Sequence, residues 1–235
     1  MGRDVLQLQR YSKAHKLHII ASTGFYLYPY HSEWLHSASV EDIAELFMKE
    51  LTEGIENTEI RAGIIAEIAT SKEKIYDSEK KVFEAAGIAS QQTNCAVSTH
   101  CDMGTRGMDQ IELLCKAGMK PNKIILGHTD LSNDTGYQIA LLQSGVNLAF
   151  DTISKIKYLS DEQRADNFAA LIEQGYEDHL LLSQDVSRLS YMTANGGFGY
   201  TAVLGYFMQL LRQRGVNELQ LEKILVKNPA RILNR

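Results

Sequence analysis

Apolar residues follow two rhythms along this chain. Short, nearly continuous runs (LHIIAST, GIIAE, AVSTH, IILGH, VNLAFD and LLLSQD) each stop at a polar or charged residue. Between them, apolar positions return at three- and four-residue steps. A run without strict alternation predicts a strand covered on both faces, as in a parallel sheet. The stretches at helical spacing predict the covering helices. The first spans residues 4 to 16, with Val5, Leu6, Leu8 and Tyr11 on its apolar side. The second begins near Ser39, where Ser39 and Asp42 have capping-box spacing, and carries Ile43, Leu46, Phe47 and Leu51 on one face. Further helices are expected after TSKEKIYDSE, around Met108 to Lys116, near Gly136 to Gln143, opened by the box Ser160 to Gln163, from about Thr201 to Arg214, and from Leu219 to Leu225, ending near NPARIL.

Strand and helix alternate with no linker or low-complexity tract, so residues 1–235 are expected to form one α/β domain. A doubly wound sheet alternates in the same way, and the choice falls to the chemistry at the strand ends, which favours a TIM-type parallel barrel. Such a barrel closes with eight strands, whereas six runs are present. The expectation is a barrel lacking its first two strands and carrying the third to the eighth.

With 44% hydrophobic and 23% charged residues the chain can bury a substantial core. A net charge of −5 and no basic cluster argue against nucleic acid or anionic membrane as partner and favour a small-molecule substrate. No apolar stretch approaches the roughly 20 residues that span a bilayer, and MGRDVLQLQR has no signal-peptide core, so the chain reads as cytoplasmic. Cys95, Cys101 and Cys115 are odd in number and lack CxxC spacing, which supports neither a disulfide framework nor a structural zinc site. Cys101 adjoins His100, but neighbours along a strand face opposite ways, so it is expected to turn aside.

Glu67, His100, His128 and Asp185 each stand where an apolar run stops. Glu67 to His100 and His100 to His128 are each about 30 residues, one strand-plus-helix repeat, and Asp185 follows two repeats later. The skipped run also ends in a carboxylate, Asp151. Parallel barrels gather catalytic groups at the carboxyl ends of their strands, because the interior is filled and only the loops there vary freely. A single histidine at such a place is ordinarily a hydrogen-bonded structural residue, and a single carboxylate a cap or ion-pair partner. Four metal-binding side chains in one phase would bury too much charge without a cation. Two imidazoles and a carboxylate form a three-ligand site with an open position, the kind that makes water a nucleophile near neutral pH. Asp185 would hold a second metal or accept the proton.

The segments IIAEIATS, VSTHCDMGTRGMDQIELL, KIILGHTDLSND, LLLSQDVSRLSY, NGGFGYTAVL and NPARIL closely resemble the phosphotriesterase-related family of the amidohydrolase superfamily, and IIASTGFY extends the likeness along the chain. The resemblance implies two divalent metals, usually zinc, and a metal-activated hydroxide that attacks a small ester, a lactone such as a phosphorylated sugar lactone, or a phosphoester. It makes Glu67 the bridging ligand, where many relatives carry a carbamylated lysine. It makes His100 and His128 ligands of the more exposed metal, and Asp185 the ligand of the more buried metal and the proton shuttle. Tyr26 and Tyr28 resemble tyrosines that line the substrate mouth in lactonase relatives; ordinary packing within FYLYPY is the alternative. Lys155 and Arg188 are cations near the rim, suited to an anionic substrate group or else solvated loop charges.

The family's first strand carries an HxH pair, and no HxH occurs in this sequence. One well-ligated metal or fewer is therefore expected. The alternative to an active hydrolase is a truncated, catalytically impaired metal-binding homologue. Unpaired strands at the gap would invite a partner, so the expectation is a homo-oligomer that closes an open six-stranded barrel, or else a start site placed too late on a longer gene. NGGFGY lacks the dinucleotide fingerprint. His31, His36 and His179 are assigned to the surface.

Overall fold

The computed structural model describes residues 3–234. The chain packs as two compact units, one built from the residues up to His100 with Met108–Ile124 and the segment from Leu233, the other from Cys101–Gly107 with Ile125–Ile232.

In the first unit the elements in chain order are α1 (Val5–His15), β1 (Ser22–Thr23), α2 (Glu33–Ser37), α3 (Val40–Thr52), β2 (Ile64–Thr70), α4 (Asp77–Thr93), β3 (Val97–Cys101) and α5 (Gly107–Lys116). β1 runs parallel to β2 with Ser22 opposite Ile64. The Ile65 N–H donates to the Ala96 carbonyl at 3.1 Å, at the head of β3. The Ser39–Asp42 capping box is present and satisfies N–H groups that the first turn of α3 leaves without partners. α3 buries Ile43, Phe47 and Leu51 against α4, which contributes Val82, Phe83 and Ala86. Each large apolar side chain so buried contributes roughly 1.5–3 kcal/mol.

The second unit comprises β4 (Ile124–Gly127), α6 (Thr135–Gln143), β5 (Asn147–Phe150), α7 (Asp161–Glu173), β6 (Leu180–Leu182), α8 (Met208–Gln213), α9 (Glu218–Glu222) and α10 (Asn228–Leu233). β4, β5 and β6 pair in parallel in chain order, Leu126 opposite Leu148 and Leu148 opposite Leu180. Every residue of β4 and β5 is buried, as covering on both faces requires. Phe150 meets the edge of Phe168 on α7, with ring centroids 5.0 Å apart. The six strands predicted from the apolar runs are thus present, parallel and alternating with helices in an α/β fold of the TIM-barrel type.

Some boundaries differ from the sequence reading. LHIIAST yields a strand only at Ser22–Thr23, while Leu17, Ile19 and Ile20 remain exposed. GIIAE runs on to Thr70, so Glu67 lies within β2 rather than at its end. The helix expected over Thr201 to Arg214 opens with 3-10 and π-type turns, the latter bent at Gly205 (φ −93, ψ −111). NPARIL does not end a helix but forms one. A wider turn at Lys223–Lys227 precedes it, making room for Pro229, whose ring clashes with a regular turn. No helix among the described residues is long and apolar enough to cross a membrane.

Candidate metal centre

Alternation along β3 places Ser98 and His100 on one face and Val97, Thr99 and Cys101 on the other, which is buried. Cys101 therefore turns away from His100, as expected. His100 and Glu67 project from neighbouring strands of the first unit, and Nδ1 of the imidazole comes within 3.6 Å of the Glu67 Oε2. The Tyr26 hydroxyl lies 3.2 Å from Nδ1 and 3.3 Å from Nε2 of His100, the rings edge-on at 4.8 Å. A hydroxyl can donate or accept, so it can serve either tautomer. Gln110 anchors the strand from behind, its Nε2 donating to the His100 carbonyl at 2.9 Å and to Thr70 Oγ1 at 2.7 Å. A cavity of about 580 Å³ lined by Ser22, Thr23, Tyr26, Glu50 and Glu67 opens beside the pair.

Tyr28 takes a different place from Tyr26. It stacks face to face on Tyr76, centroids 3.9 Å apart. Its N–H donates to the buried carboxylate of Glu79, which also accepts from the backbones of Ser71 and Tyr76 and so pins this aromatic loop. His31 is not a surface residue but half-buried: Nε2 donates to the Tyr26 carbonyl at 2.6 Å, and Nδ1 meets Ser78 Oγ at 2.9 Å. Burial holds its pKa below the usual histidine range. His36 is exposed, whereas His179 is partly buried against the Val146 carbonyl.

In the second unit, the register that sets Leu126 opposite Leu148 would carry on to set His128 level with Phe150, one residue before Asp151, whose side chain reaches back to His128. His128 is buried, with φ 58 in the left-handed region. Asp185 lies just past β6, also at positive φ (41), and is ion-paired with Lys155. Lys155 is only 8% exposed, which removes the reading of a solvated loop charge, and its ammonium lies 5.0 Å from the Tyr191 ring. Arg188 is exposed. A second cavity, about 440 Å³, is lined by Leu182, Gln184, Asp185, Tyr200, Val203 and Leu204.

Beneath this loop Arg164 is fully buried, bonded through Nε to Asp130 Oδ2 and through Nη1 to Asp161 Oδ1, each at 2.7 Å, and through Nη2 to Thr152 Oγ1 at 2.9 Å. Burial, and then the neighbouring Asp151, push the Asp130 carboxyl upward in pKa against the pull of Thr152 and Arg164. Tyr206 donates to Asp161, and burial together with that carboxylate raises its phenol. Glu79, Gln110, Arg164 and Tyr191 are absent from the sequence reading, and no local pattern marks them.

Six parallel strands alternating with helices mark an α/β protein of the TIM-barrel type. Within that class the sequence is specific. The chain belongs to the phosphotriesterase family, whose model matches residues 1–233. It is 36% identical to the phosphotriesterase homology protein of Escherichia coli (strain K12), over 98% of this chain and 79% of that protein. The crystal structure of the E. coli protein complexed with phosphate in its active site matches with a TM-score of 0.97 at 35% identity, covering 100% of this chain and 81% of that one. An N-acetyltaurine hydrolase of Salmo salar is 32% identical over 99% of this chain and 70% of its own length. A phospho-furanose lactonase of Mycoplasmopsis synoviae is 31% identical over 99% and 72%. The family resemblance read from the sequence is thereby borne out.

Proposed function

We propose that this chain is a metal-dependent hydrolase of small esters, with lactones, including phosphorylated sugar lactones, as its substrates. Glu67, His100 and His128 hold the divalent ion in this reading. By donor type, one carboxylate and two imidazoles are the three-ligand, open-position set that zinc takes. When bound, the ion supplies Lewis acidity and a water acidic enough to attack near neutral pH. The observation that carries the reading is the approach of Glu67 and His100 to 3.6 Å from adjacent strands, in a chain whose relatives are hydrolases and a lactonase.

Asp185 accepts the proton of the attacking water. Lys155, held against it, and Arg188 attract an anionic substrate group, a role supported by the phosphate in the E. coli relative's active site. Tyr26 orients the substrate beside His100, and Tyr28 shapes the approach. We read β1 to β6 as the third to eighth strands of the barrel, and Glu67, His100 and His128 as the ligands of one metal.

The test is to load the purified chain with zinc, count the metal, and assay simple lactones, phosphorylated sugar lactones and N-acyl amides. About one zinc per chain and lactone turnover abolished by a chelator are expected. No metal uptake would establish the impaired homologue instead, and amide turnover above lactone turnover would move the substrate class towards that of the Salmo salar relative.

We also propose that the chain self-associates along β1, which pairs with β2 alone among the described residues and has exposed Leu17, Ile19 and Ile20 beside it. Exposed apolar residues leading into an edge strand are a surface that another chain can cover. Light scattering after size exclusion should give a dimer or larger; a monodisperse monomer would sink this assignment.

A further inference from the structure

Asp151 ends the run VNLAFD and takes no part in the chemistry above. We propose that it is a positioning residue for His128, fixing which imidazole nitrogen carries the hydrogen and which the lone pair that a cation would take; this rests on the reading of His128 as a ligand. A single oxygen, Oδ1 of Asp151, accepts the backbone N–H of His128 at 2.8 Å and lies 2.7 Å from its Nδ1. A carboxylate oxygen only accepts, so Nδ1 carries the hydrogen and Nε2 keeps its lone pair.

The two bonds reach one residue at two points, its backbone and its ring, and so fix the ring's direction relative to the end of β4. They also hold the turn at φ 58, a conformation that histidine adopts at a cost. His128 and Asp151 are 4% and 8% exposed, so water competes poorly for either bond. A carboxylate behind an imidazole raises the basicity of the far nitrogen, and partners of this kind tune metal affinity about 10–100-fold. The parallel register of β4 and β5 supplies the carboxylate at that height, one residue past the strand.

The experiment compares the whole chain with Asp151→Ala and Asp151→Asn, titrating zinc against a chromophoric chelator. Asparagine keeps an acceptor oxygen without the charge, and it serves if the alanine variant unfolds. Zinc affinity should fall about 10–100-fold with alanine and by less with asparagine. Long-range ¹H–¹⁵N correlation on the metal-free parent should show His128 as the Nδ1–H tautomer, with a mixture in the variants. Unchanged affinity in a folded variant, or an Nε2–H tautomer in the parent, would overturn the proposal. A parent that takes up no zinc overturns the metal reading itself, while the tautomer measurement still decides whether Asp151 fixes the ring.

Discussion

His128→Asn is expected to lower zinc affinity by roughly two orders of magnitude and to take hydrolysis down with it, while the chain stays folded. Protein zinc sites bind with about 10–16 kcal/mol shared among four ligands, so one ligand is worth roughly 3 kcal/mol, or about 10²-fold. Asparagine is a better replacement than alanine here. It tolerates the left-handed backbone that His128 adopts, and its amide N–H can still donate to Asp151, so no carboxylate is left buried with half its partners. What it lacks is the second ring nitrogen, the atom assigned to the metal. Equilibrium dialysis with zinc, followed by metal analysis and the lactone assay on the same samples, measures both consequences. A variant that retains the parent's zinc would remove His128 from the site.

The strands were legible because a parallel strand is apolar on both faces, a property of the run itself that needs no partner to be seen. Glu67 was placed at a strand end and lies inside β2, because strand length is set by the neighbours that pair with it, and GIIAE says nothing of those. His128 and Asp151 were each legible as residues that stop a run. Their contact was not, since it depends on the register between β4 and β5, which is fixed by tertiary packing. Lys155 reads as a loop charge in TISKIK, and its burial comes from the fold around it. Arg164 is the extreme case. In SDEQRADNF it is one charge among several on a helix with a polar start, and nothing local distinguishes the guanidinium that is wholly enclosed from those that face water.

Arg164→Met should therefore be the most damaging single change to stability outside the apolar core. The guanidinium neutralises two buried carboxylates, Asp130 and Asp161, and donates to the carbonyls of Leu159 at 2.6 Å and Lys155 at 3.3 Å. Asp130 has no slack, for its Oδ1 already lacks a partner among the described residues and its Oδ2 depends on Arg164 and Thr152. Methionine fills much of the volume but strands both charges, which costs about 3–5 kcal/mol against a total of about 5–15. At about 2–4 °C per kcal/mol for a chain of this size, the melting temperature should fall by roughly 10 °C. Adding Asp130→Asn to Arg164→Met separates charge from packing: a neutral amide needs no cation, so the double variant should melt above the single one. A single variant melting within about 2 °C of the parent would show that the buried pair contributes little. The same network reaches the proposed substrate loop, because Arg164 holds the Lys155 carbonyl and Asp161 accepts the Ser154 N–H. In a variant that is still folded at the assay temperature, KM for a phosphorylated substrate should rise more than KM for a neutral lactone, since only the former relies on Lys155 being held in place.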